Sequence, residues 1–195
     1  MHDPLASAGG GHTELDWDER QRLIPSYIAT RGDLNEAEER NISRALLGRQ
    51  PTTDALLDDA YLRDMHRDMF GDVWEWAGRY RDRDTNIGVP FETISGSVRS
   101  LVLDARTWVE AETYEPDELA IRFHHRLVAI HPFPNGNGRH GRIVADLLVI
   151  RLGAARFSWG AMLDVETAHL RASYVGALQA ADRGQMDHLI AFARS

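Results

Sequence analysis

The 195-residue sequence contains no cysteine. Because it has no thiol, the chain can form neither a disulfide framework nor a thiolate metal site. It also lacks any apolar run near the length of about 20 residues that spans a bilayer, so we expect no binding to membranes. The opening residues, MHDPLASAGGGH, lack the basic start and apolar centre of a secretory signal, and we interpret residues 1–13 as a disordered tail. These absences favour a cytoplasmic location.

Positive charge is scarce as well. The chain has 22 lysines and arginines but 30 aspartates and glutamates, which gives a formal net charge of −8. An acidic chain is repelled by a phosphate backbone, which argues against direct nucleic-acid binding. Any anion must therefore be held by a local arrangement of cations. The length of the chain is that of a single globular domain with one sizeable core.

Apolar residues recur at helical spacing along most of the chain, so we predict a mainly α-helical fold. A helical extension occupies residues 14–54, and the core domain occupies residues 55–195. Asp33 followed by Glu36 has the pattern of a capping box at the start of the first long helix. The predicted helices cover about 33–47, 54–70, 96–112, 116–130, a segment ending at 152, 165–181 and 185–194.

The segment VWEWAGRYRDRDTNIGVPFETI interrupts the helical pattern because it is rich in aromatic residues and glycine. Two short extended stretches flank Asn86, Ile87 and Gly88, and asparagine and glycine are turn residues. We therefore predict a small β-hairpin here, which we call the flap.

Residues 131–142 read HPFPNGNGRHGR and lead into the apolar helix IVADLLVIRLG. Cations are unfavourable at a helix N-terminus, where unpaired N–H groups already carry partial positive charge. Each glycine in a helix costs about 1 kcal/mol relative to alanine. A sequence that accepts both costs is typical of a backbone that comes close to an anion.

The combination predicts a phosphate site. Arg139 and Arg142 can grip a polyphosphate in forked geometry, and His131 has an ordinary pKa of about 6.5, which suits a general base. The backbone N–H groups at the anion come from Gly136, Asn137 and Gly138.

Each residue also has a purely structural interpretation. Glycine, proline and asparagine are common in helix–helix loops, a lone histidine is more often structural than catalytic, and Arg142 can pair with Asp146 on the surface. A zinc site is disfavoured, because no HExxH or comparable spacing occurs among the clustered histidines His124, His125, His131 and His140.

Together, residues 131–142 resemble the signature of the Fic/Doc family: HPF, any residue, Asp or Glu, GNGR, two residues, R. The upstream HRDMFGDVWEWAGRYR and the downstream YVGALQAADRGQMDHLIAF are similar to the same family, so the resemblance covers residues 55–194. The N-terminal LIPSYIATRGDLNEAEERNI resembles a bacterial subgroup named mobile mystery protein B. The resemblance implies a Fic-type helical bundle with the flap beside the active-site loop.

Most members of this family transfer AMP from ATP to a Ser, Thr or Tyr hydroxyl of a target protein. The resemblance implies that His131 takes the hydroxyl proton, that Arg139 holds the β-phosphate and that Arg142 holds the γ-phosphate. Phe133 would be a buried anchor of the loop. The anion hole for the α- and β-phosphates would be Gly136, Asn137 and Gly138.

The family's flap docks the target as an added extended strand. Here that role would fall to residues 84–90, with Asn86, Ile87 and Gly88 at the centre and Ile87 as the clamp. Ile87 is equally well interpreted as the apolar tip of a hairpin.

Asn135 is the one departure from the signature, because the family has an acid there that coordinates Mg²⁺. A neutral amide oxygen is a weaker ligand for Mg²⁺ than a carboxylate. We therefore expect Asn135 to hold Mg²⁺ weakly, the metal to arrive with ATP, and transfer to be slow.

Many members carry an inhibitory helix with the pattern Ser/Thr, three residues, Glu, then Gly or Asn. No clean copy occurs here, and the nearest stretch is EAEERN at residues 36–41. We interpret Glu36, Glu38 and Glu39 as a solvated helix face. Inhibition then comes from a separate antitoxin protein, which would make this chain the toxin half of a pair, or from a degenerate N-terminal helix, or it does not occur.

Two other functions stay open. Doc-like relatives transfer the γ-phosphoryl group instead, but they have lysine where this chain has Arg139. A nucleotide-binding interaction module without catalysis is conceivable because of Asn135, and the intact His131 argues against it.

Overall fold

The computed structural model describes residues 21–28 and 30–195. Within them the chain forms eight α-helices and one short 3₁₀-helix (Phe91–Thr93), so the prediction of a mainly α fold is confirmed. The α-helices are α1 (Arg31–Leu46), α2 (Thr53–Leu56), α3 (Asp59–Phe70), α4 (Ile94–Glu110), α5 (Pro116–Ile130), α6 (Asn137–Arg151), α7 (Thr167–Asp182) and α8 (Met186–Arg194).

The antiparallel pair of α5 and α6 lies at the centre of the fold. Helix α4 packs against α5, and the pair of α7 and α8 contacts α5 through α8. The buried faces of these helices form the main apolar core, with Leu101, Phe123 and Leu148 completely inaccessible to solvent. A second apolar cluster joins α1 to α3 and includes Phe70 and Trp74. The short connection between α5 and α6 therefore starts and ends in the best-packed part of the molecule.

Helix α1 begins earlier than predicted, and its capping box uses different residues. The Thr30 hydroxyl accepts a hydrogen bond from the Asp33 N–H at 3.2 Å, and the Asp33 carboxylate accepts one from the Thr30 N–H at 2.8 Å. The predicted box of Asp33 and Glu36 is therefore wrong, because Asp33 occupies the second position of the box and not the first.

The single helix predicted over 54–70 is divided in two. Helix α2 ends before Leu57, and the carboxylate of Asp58 accepts a hydrogen bond from the Tyr61 N–H at 3.0 Å. An aspartate at this position is a strong N-cap, so α3 begins anew at residue 59.

The flap is not a β-hairpin, since no strand is present among the described residues. Residues 82–90 form an irregular loop whose polar groups are bonded by side chains. The Asp84 carboxylate accepts from the Phe91 N–H at 2.9 Å, and the Thr85 hydroxyl donates to the Ile87 carbonyl at 2.6 Å. Short polar side chains thus take the backbone partners that a strand ladder would have used.

Within residues 21–28, Leu23 is joined to Trp74 by an isolated antiparallel bridge. The tail predicted at 1–13 and the first part of the predicted extension, residues 14–20, lie outside the described residues. The division of the chain into a tail, a helical extension and a core domain therefore stays a prediction. Among the helices that the structure does describe, none has the length and apolar character needed to cross a membrane.

Candidate active site

The connection between α5 and α6, residues 131–136, is bounded by two residues in the left-handed conformation. His131 is the C-cap of α5, with φ 53° and ψ 58°, and its N–H donates to the Leu127 carbonyl at 3.2 Å. Gly136 is the N-cap of α6, with φ 79°. The left-handed conformation costs a side-chain-bearing residue about 1–2 kcal/mol. Such strain persists only where surrounding contacts enforce it, and it is concentrated at functional sites.

Phe133 and Asn137 fix the shape of this connection. Phe133 is buried, and its ring stacks on the ring of His66 from α3 with 3.7 Å between the centres. The Asn137 side chain accepts from the Phe133 N–H at 2.9 Å and donates to the Phe133 carbonyl at 2.8 Å. The burial predicted for Phe133 is confirmed. The side chain of Asn137 is occupied within the loop, so only its backbone N–H is available to a ligand.

Only glycine fits at position 136. Besides its positive φ, a β-carbon there would lie 2.6 Å from the ring of Phe70 and 3.3 Å from Nε2 of His66. Glycine therefore allows the start of α6 to lie directly against α3. The N–H groups of the first turn of α6 have no acceptor within the helix, as at any helix N-terminus.

His66 supports the loop from below and was missed by the sequence analysis. Its Nδ1 accepts a hydrogen bond from the Gly78 N–H at 3.0 Å, so the ring proton lies on Nε2, which donates to the Asn135 carbonyl at 3.1 Å. Burial lowers the pKa of His66 well below its usual range, with His140 adding to the effect. A neutral histidine with one defined tautomer thus anchors the residue before Gly136.

The side chain of Asn135 does not project into open space. Its Oδ1 accepts a hydrogen bond from the Gly136 N–H at 2.7 Å. The amide oxygen that would ligate Mg²⁺ therefore already accepts one hydrogen bond, and one of the three N–H groups predicted to hold the phosphates is covered by the protein itself. No group of three or more histidine, aspartate or glutamate side chains that could hold a metal occurs within the described ranges. The residues present do not fit a protein-held Mg²⁺ site.

Arg142 lies in the second turn of α6 and is buried. Its guanidinium carbon lies 5.4 Å from the ring centre of Tyr174 on α7. A β-carbon built on Gly138 would be 3.5 Å from Nη1 of Arg142, which is ordinary contact distance. The guanidinium therefore lies close to the backbone of the first turn of α6, where an anion would bind.

The surface ion pair considered for Arg142 and Asp146 is wrong in its location, because both side chains lie in the interior. The Asp146 carboxylate accepts from Nε of Arg156 at 2.7 Å and from Nε1 of Trp159 at 2.8 Å. Burial raises the pKa of this carboxyl, and the charges of Arg156 and, to a smaller extent, Arg142 oppose the rise.

Arg139 is held by a residue that the sequence analysis placed in solvent. Its Nη1 donates to Oε2 of Glu38 at 2.6 Å, and its guanidinium carbon lies 4.9 Å from the ring centre of Phe70. The Oε1 of Glu38 accepts from Nε1 of Trp74 at 2.7 Å, and Glu38 is only 3% exposed. The solvated face predicted for Glu36, Glu38 and Glu39 is therefore wrong for Glu38. The helix turns this one glutamate toward Arg139 across α3.

His131 is neutral in this environment. Burial, and after it the positive charge of Arg81, lower its pKa to about 4, although the hydrogen bond with the Val128 carbonyl acts in the opposite direction. At neutral pH the imidazole therefore carries no charge and retains a free lone pair, as a general base requires.

Residues of the flap meet His131 through Gly88. With φ 102°, Gly88 lies so close that a β-carbon there would be 2.7 Å from the β-carbon of His131. Asn86 and Ile87 lie at the exposed tip, and Ile87 is 56% exposed. The structure thus places the flap next to His131, with its apolar tip in solvent.

The remaining clustered histidines have structural partners. Nε2 of His140 bonds the Leu62 carbonyl at 2.9 Å, Nε2 of His124 bonds the Tyr174 hydroxyl at 3.0 Å, and Nε2 of His125 lies 2.8 Å from Asp182. Burial lowers the pKa of His124 to about 3 and that of His140 to about 4.

Comparison with known proteins shows to which family this chain is similar. Residues 56–149 match the model of the Fic/DOC family. The chain is 35% identical over 136 residues to protein adenylyltransferase fic-1 of Caenorhabditis elegans, and 28% identical over 135 residues to protein adenylyltransferase Fic of Culex quinquefasciatus. Each match covers 67% of this chain but only 25% and 26% of the respective relative. The chain thus spans about a quarter of the length of these proteins.

Solved structures show the same fold at lower identity. The N-terminal Fic domain of Bep8 from Bartonella sp. 1-1C matches with a TM-score of 0.68 at 15% identity, covering 87% of this chain and 88% of that one. A Fic domain from Bartonella quintana with bound ADP has a TM-score of 0.65 at 21% identity, covering 87% and 86%. BepC from Bartonella tribocorum with bound AMPPNP has a TM-score of 0.64 at 19% identity, covering 88% and 95%. On the match of sequence and fold, this chain contains a Fic/DOC family domain.

Proposed function

We propose that the chain transfers AMP from ATP to a hydroxyl side chain of a target protein. The observation that carries the proposal is the arrangement at the junction of α5 and α6. His131 is the C-cap of α5, has a left-handed backbone and is neutral, and Arg139 and Arg142 lie in the first two turns of α6. Relatives that are named protein adenylyltransferases, and related folds solved with ADP and AMPPNP, support the same nucleotide at this site.

In the proposed reaction, the imidazole of His131 takes the proton of the target hydroxyl. The hydroxyl oxygen forms a bond to the α-phosphorus of ATP. At the same time, the bond between the α-phosphorus and the oxygen that bridges the α- and β-phosphates breaks, and pyrophosphate leaves. The protein contributes position and charge stabilisation rather than covalent chemistry. The His131 pKa of about 4 leaves the base unprotonated at neutral pH.

The triphosphate is held at the start of α6, where unpaired N–H groups and the helix dipole favour an anion. The backbone N–H groups of Asn137 and Gly138 bind phosphate oxygens, and that of Gly136 joins them once the Asn135 amide turns away. Arg139 binds the β-phosphate after Glu38 releases it, and Arg142 binds the γ-phosphate. The negative charge of the nucleotide offsets the repulsion between these cations and the helix terminus.

The target is a protein segment with a Ser, Thr or Tyr hydroxyl, laid in extended form beside residues 84–90. Gly88 brings this segment directly against His131, and the exposed Ile87 is an apolar contact for the incoming segment. Because Glu38 already competes for Arg139 from within the chain, inhibition at that arginine does not require a separate antitoxin protein.

Changing Asn135→Asp should lower the Mg²⁺ concentration for half-maximal transfer and raise the rate. A carboxylate is a stronger Mg²⁺ ligand than an amide oxygen, and Asp keeps an oxygen that can accept from the Gly136 N–H. The measurement is transfer rate against Mg²⁺ concentration at saturating ATP, with Gln50→Glu, at an exposed amide between α1 and α2, as a control for one added charge. If both the Mg²⁺ requirement and the rate stay at wild-type values, the weak-metal interpretation of Asn135 is wrong.

The test of the proposed function uses ATP labelled at either the α- or the γ-phosphate, incubated with the protein and a cell lysate. Label that reaches protein only from the α-position supports AMP transfer. Label from the γ-position would instead establish the Doc-like phosphoryl transfer. Binding of ATP without labelling from either position would indicate a nucleotide-binding module that does not catalyse transfer.

A further inference from the structure

Arg81 is a buried arginine whose hydrogen bonds all join backbone carbonyls near His131. Its side chain is 2% exposed. Nε donates to the His131 carbonyl at 2.8 Å, and Nη1 donates to the Arg83 carbonyl at 3.0 Å. Nη2 donates to the carbonyl of Val89 and, at 3.5 Å, to that of Ile130. One guanidinium therefore binds the end of α5 and both sides of the flap.

Burying a guanidinium is unfavourable unless its donors are satisfied. The carboxylate nearest to it, that of Asp84, lies 3.7 Å from Nη1 and is 68% exposed, so it compensates the charge only in part. The other source of negative potential is the C-terminus of α5, where the last carbonyls have no intrahelical donor and the dipole is negative. The positive charge of Arg81 is thus stabilised by the negative C-terminal end of α5, directly before His131.

Two backbone hydrogen bonds join the same two segments as this side chain. The N–H of Arg81 donates to the Pro132 carbonyl at 2.9 Å, and the N–H of Val89 donates to the Ile130 carbonyl at 3.3 Å. Gly88 lies close to both segments, since a β-carbon on it would be 2.8 Å from Nη2 of Arg81 and 3.1 Å from the Ile130 carbonyl oxygen. Both ends of the flap are therefore attached to residues 130–132, on either side of His131.

We propose that Arg81 is a positioning residue, which locks the flap and the left-handed backbone of His131 into one unit. It thereby sets where the imidazole lies relative to a target segment docked on the flap. The inference rests on the proposed function for the effect on transfer, but the lock itself is a property of the free protein. Arg81 touches neither nucleotide nor hydroxyl in this account.

Lysine cannot replace Arg81 in this role. The guanidinium is a planar fork with donors on opposite edges, and it reaches the His131 carbonyl through one nitrogen and the Val89 carbonyl through another. A lysine ammonium keeps the charge but is a single point with three donors. Arg81→Lys therefore keeps the positive charge but removes the forked hydrogen-bonding geometry. The matched control is Arg79→Lys, which changes the exposed neighbouring arginine.

The experiment measures three quantities for wild type, Arg81→Lys and Arg79→Lys. They are the transfer rate at saturating ATP, the affinity for a non-hydrolysable ATP analogue by calorimetry, and amide hydrogen exchange by mass spectrometry. For Arg81→Lys we expect a rate about 100-fold lower, the magnitude of a misplacement of about 1 Å at a reacting group. We expect unchanged analogue affinity and faster exchange in residues 83–89 and 131–137 together. Arg79→Lys should match wild type in all three.

A wild-type rate in Arg81→Lys, or faster exchange in residues 83–89 alone, would overturn the inference. If wild type transfers nothing, the proposed function fails, and the exchange of the two segments still decides whether Arg81 links them. If Arg81→Lys shows no cooperative unfolding transition, and so is not folded, Gly88→Ala is tested in its place. The added methyl group would lie too close to both His131 and Arg81. A wild-type rate and wild-type exchange at residues 131–137 in folded Gly88→Ala would likewise overturn it.

Discussion

Replacing His131 by alanine is expected to lower the rate of AMP transfer by about 10²–10⁴-fold, the range that a positioned general base contributes. The imidazole is neutral at neutral pH, since burial and the charge of Arg81 hold its pKa at about 4. Alanine removes the proton acceptor but leaves the start of α6, where we place the phosphates, in contact with α3. The affinity for a non-hydrolysable ATP analogue should therefore stay within a few-fold of wild type.

The matched control is His169→Ala, which removes a histidine whose side chain is 78% exposed on α7. It should transfer AMP at the wild-type rate. If His131→Ala keeps the wild-type rate at saturating ATP, His131 is not the base. If its analogue affinity falls as far as its rate, the histidine acts in binding rather than in the chemical step.

Replacing Glu38 by glutamine is expected to raise the affinity for ATP by about tenfold or more. In the structure Arg139 already donates to Glu38 at 2.6 Å, so the β-phosphate must compete with a buried carboxylate for that guanidinium. A hydrogen bond to a charged partner contributes about 1.5–3 kcal/mol, and 1.4 kcal/mol corresponds to a factor of ten. Glutamine keeps an oxygen for Nε1 of Trp74 while removing the competing charge.

Calorimetric titration with a non-hydrolysable ATP analogue measures this change, and Glu36→Gln is its control. Glu36 lies on the same helix, its side chain is 73% exposed, and it pairs with Arg40 rather than with the loop. It should leave the affinity unchanged. An affinity of Glu38→Gln equal to or weaker than wild type would show that Glu38 does not compete with the nucleotide.

Most of the helices were predictable because their apolar spacing and terminal glycines are local in sequence, whereas the N-caps at Thr30 and Asp58 were not predicted. The flap was not, although Asn86 and Gly88 are turn residues. Its shape depends on Asp84 and Thr85, whose side chains bond nearby backbone groups. It also depends on Arg81, whose side chain bonds carbonyls about 50 positions away at the end of α5. Turn composition indicates where the chain bends but not whether two strands pair.

The segment of residues 131–142 could be recognised as a candidate site for a similar reason, since all of its positions are contiguous in sequence. Its partners were not, because contacts between distant segments carry no periodicity. Glu38 and Arg139 are 101 positions apart, and His66 and Asn135 are 69 apart. The segment HRDMFGDVWEWAGRYR contained both His66 and Arg81 and resembled the family, but nothing in it showed that these side chains reach the loop.

We propose that the junction of α5 and α6 transfers the adenylyl group of ATP to a target protein. The most direct test of this proposal is the intact mass of a modified target peptide, isolated after reaction with unlabelled ATP and compared with the same peptide from a His131→Ala reaction. We predict that the peptide gains the mass of one AMP residue on a Ser, Thr or Tyr side chain in the wild-type reaction only. A gain of a single phosphate, or the same adenylyl gain with His131→Ala, would contradict the account.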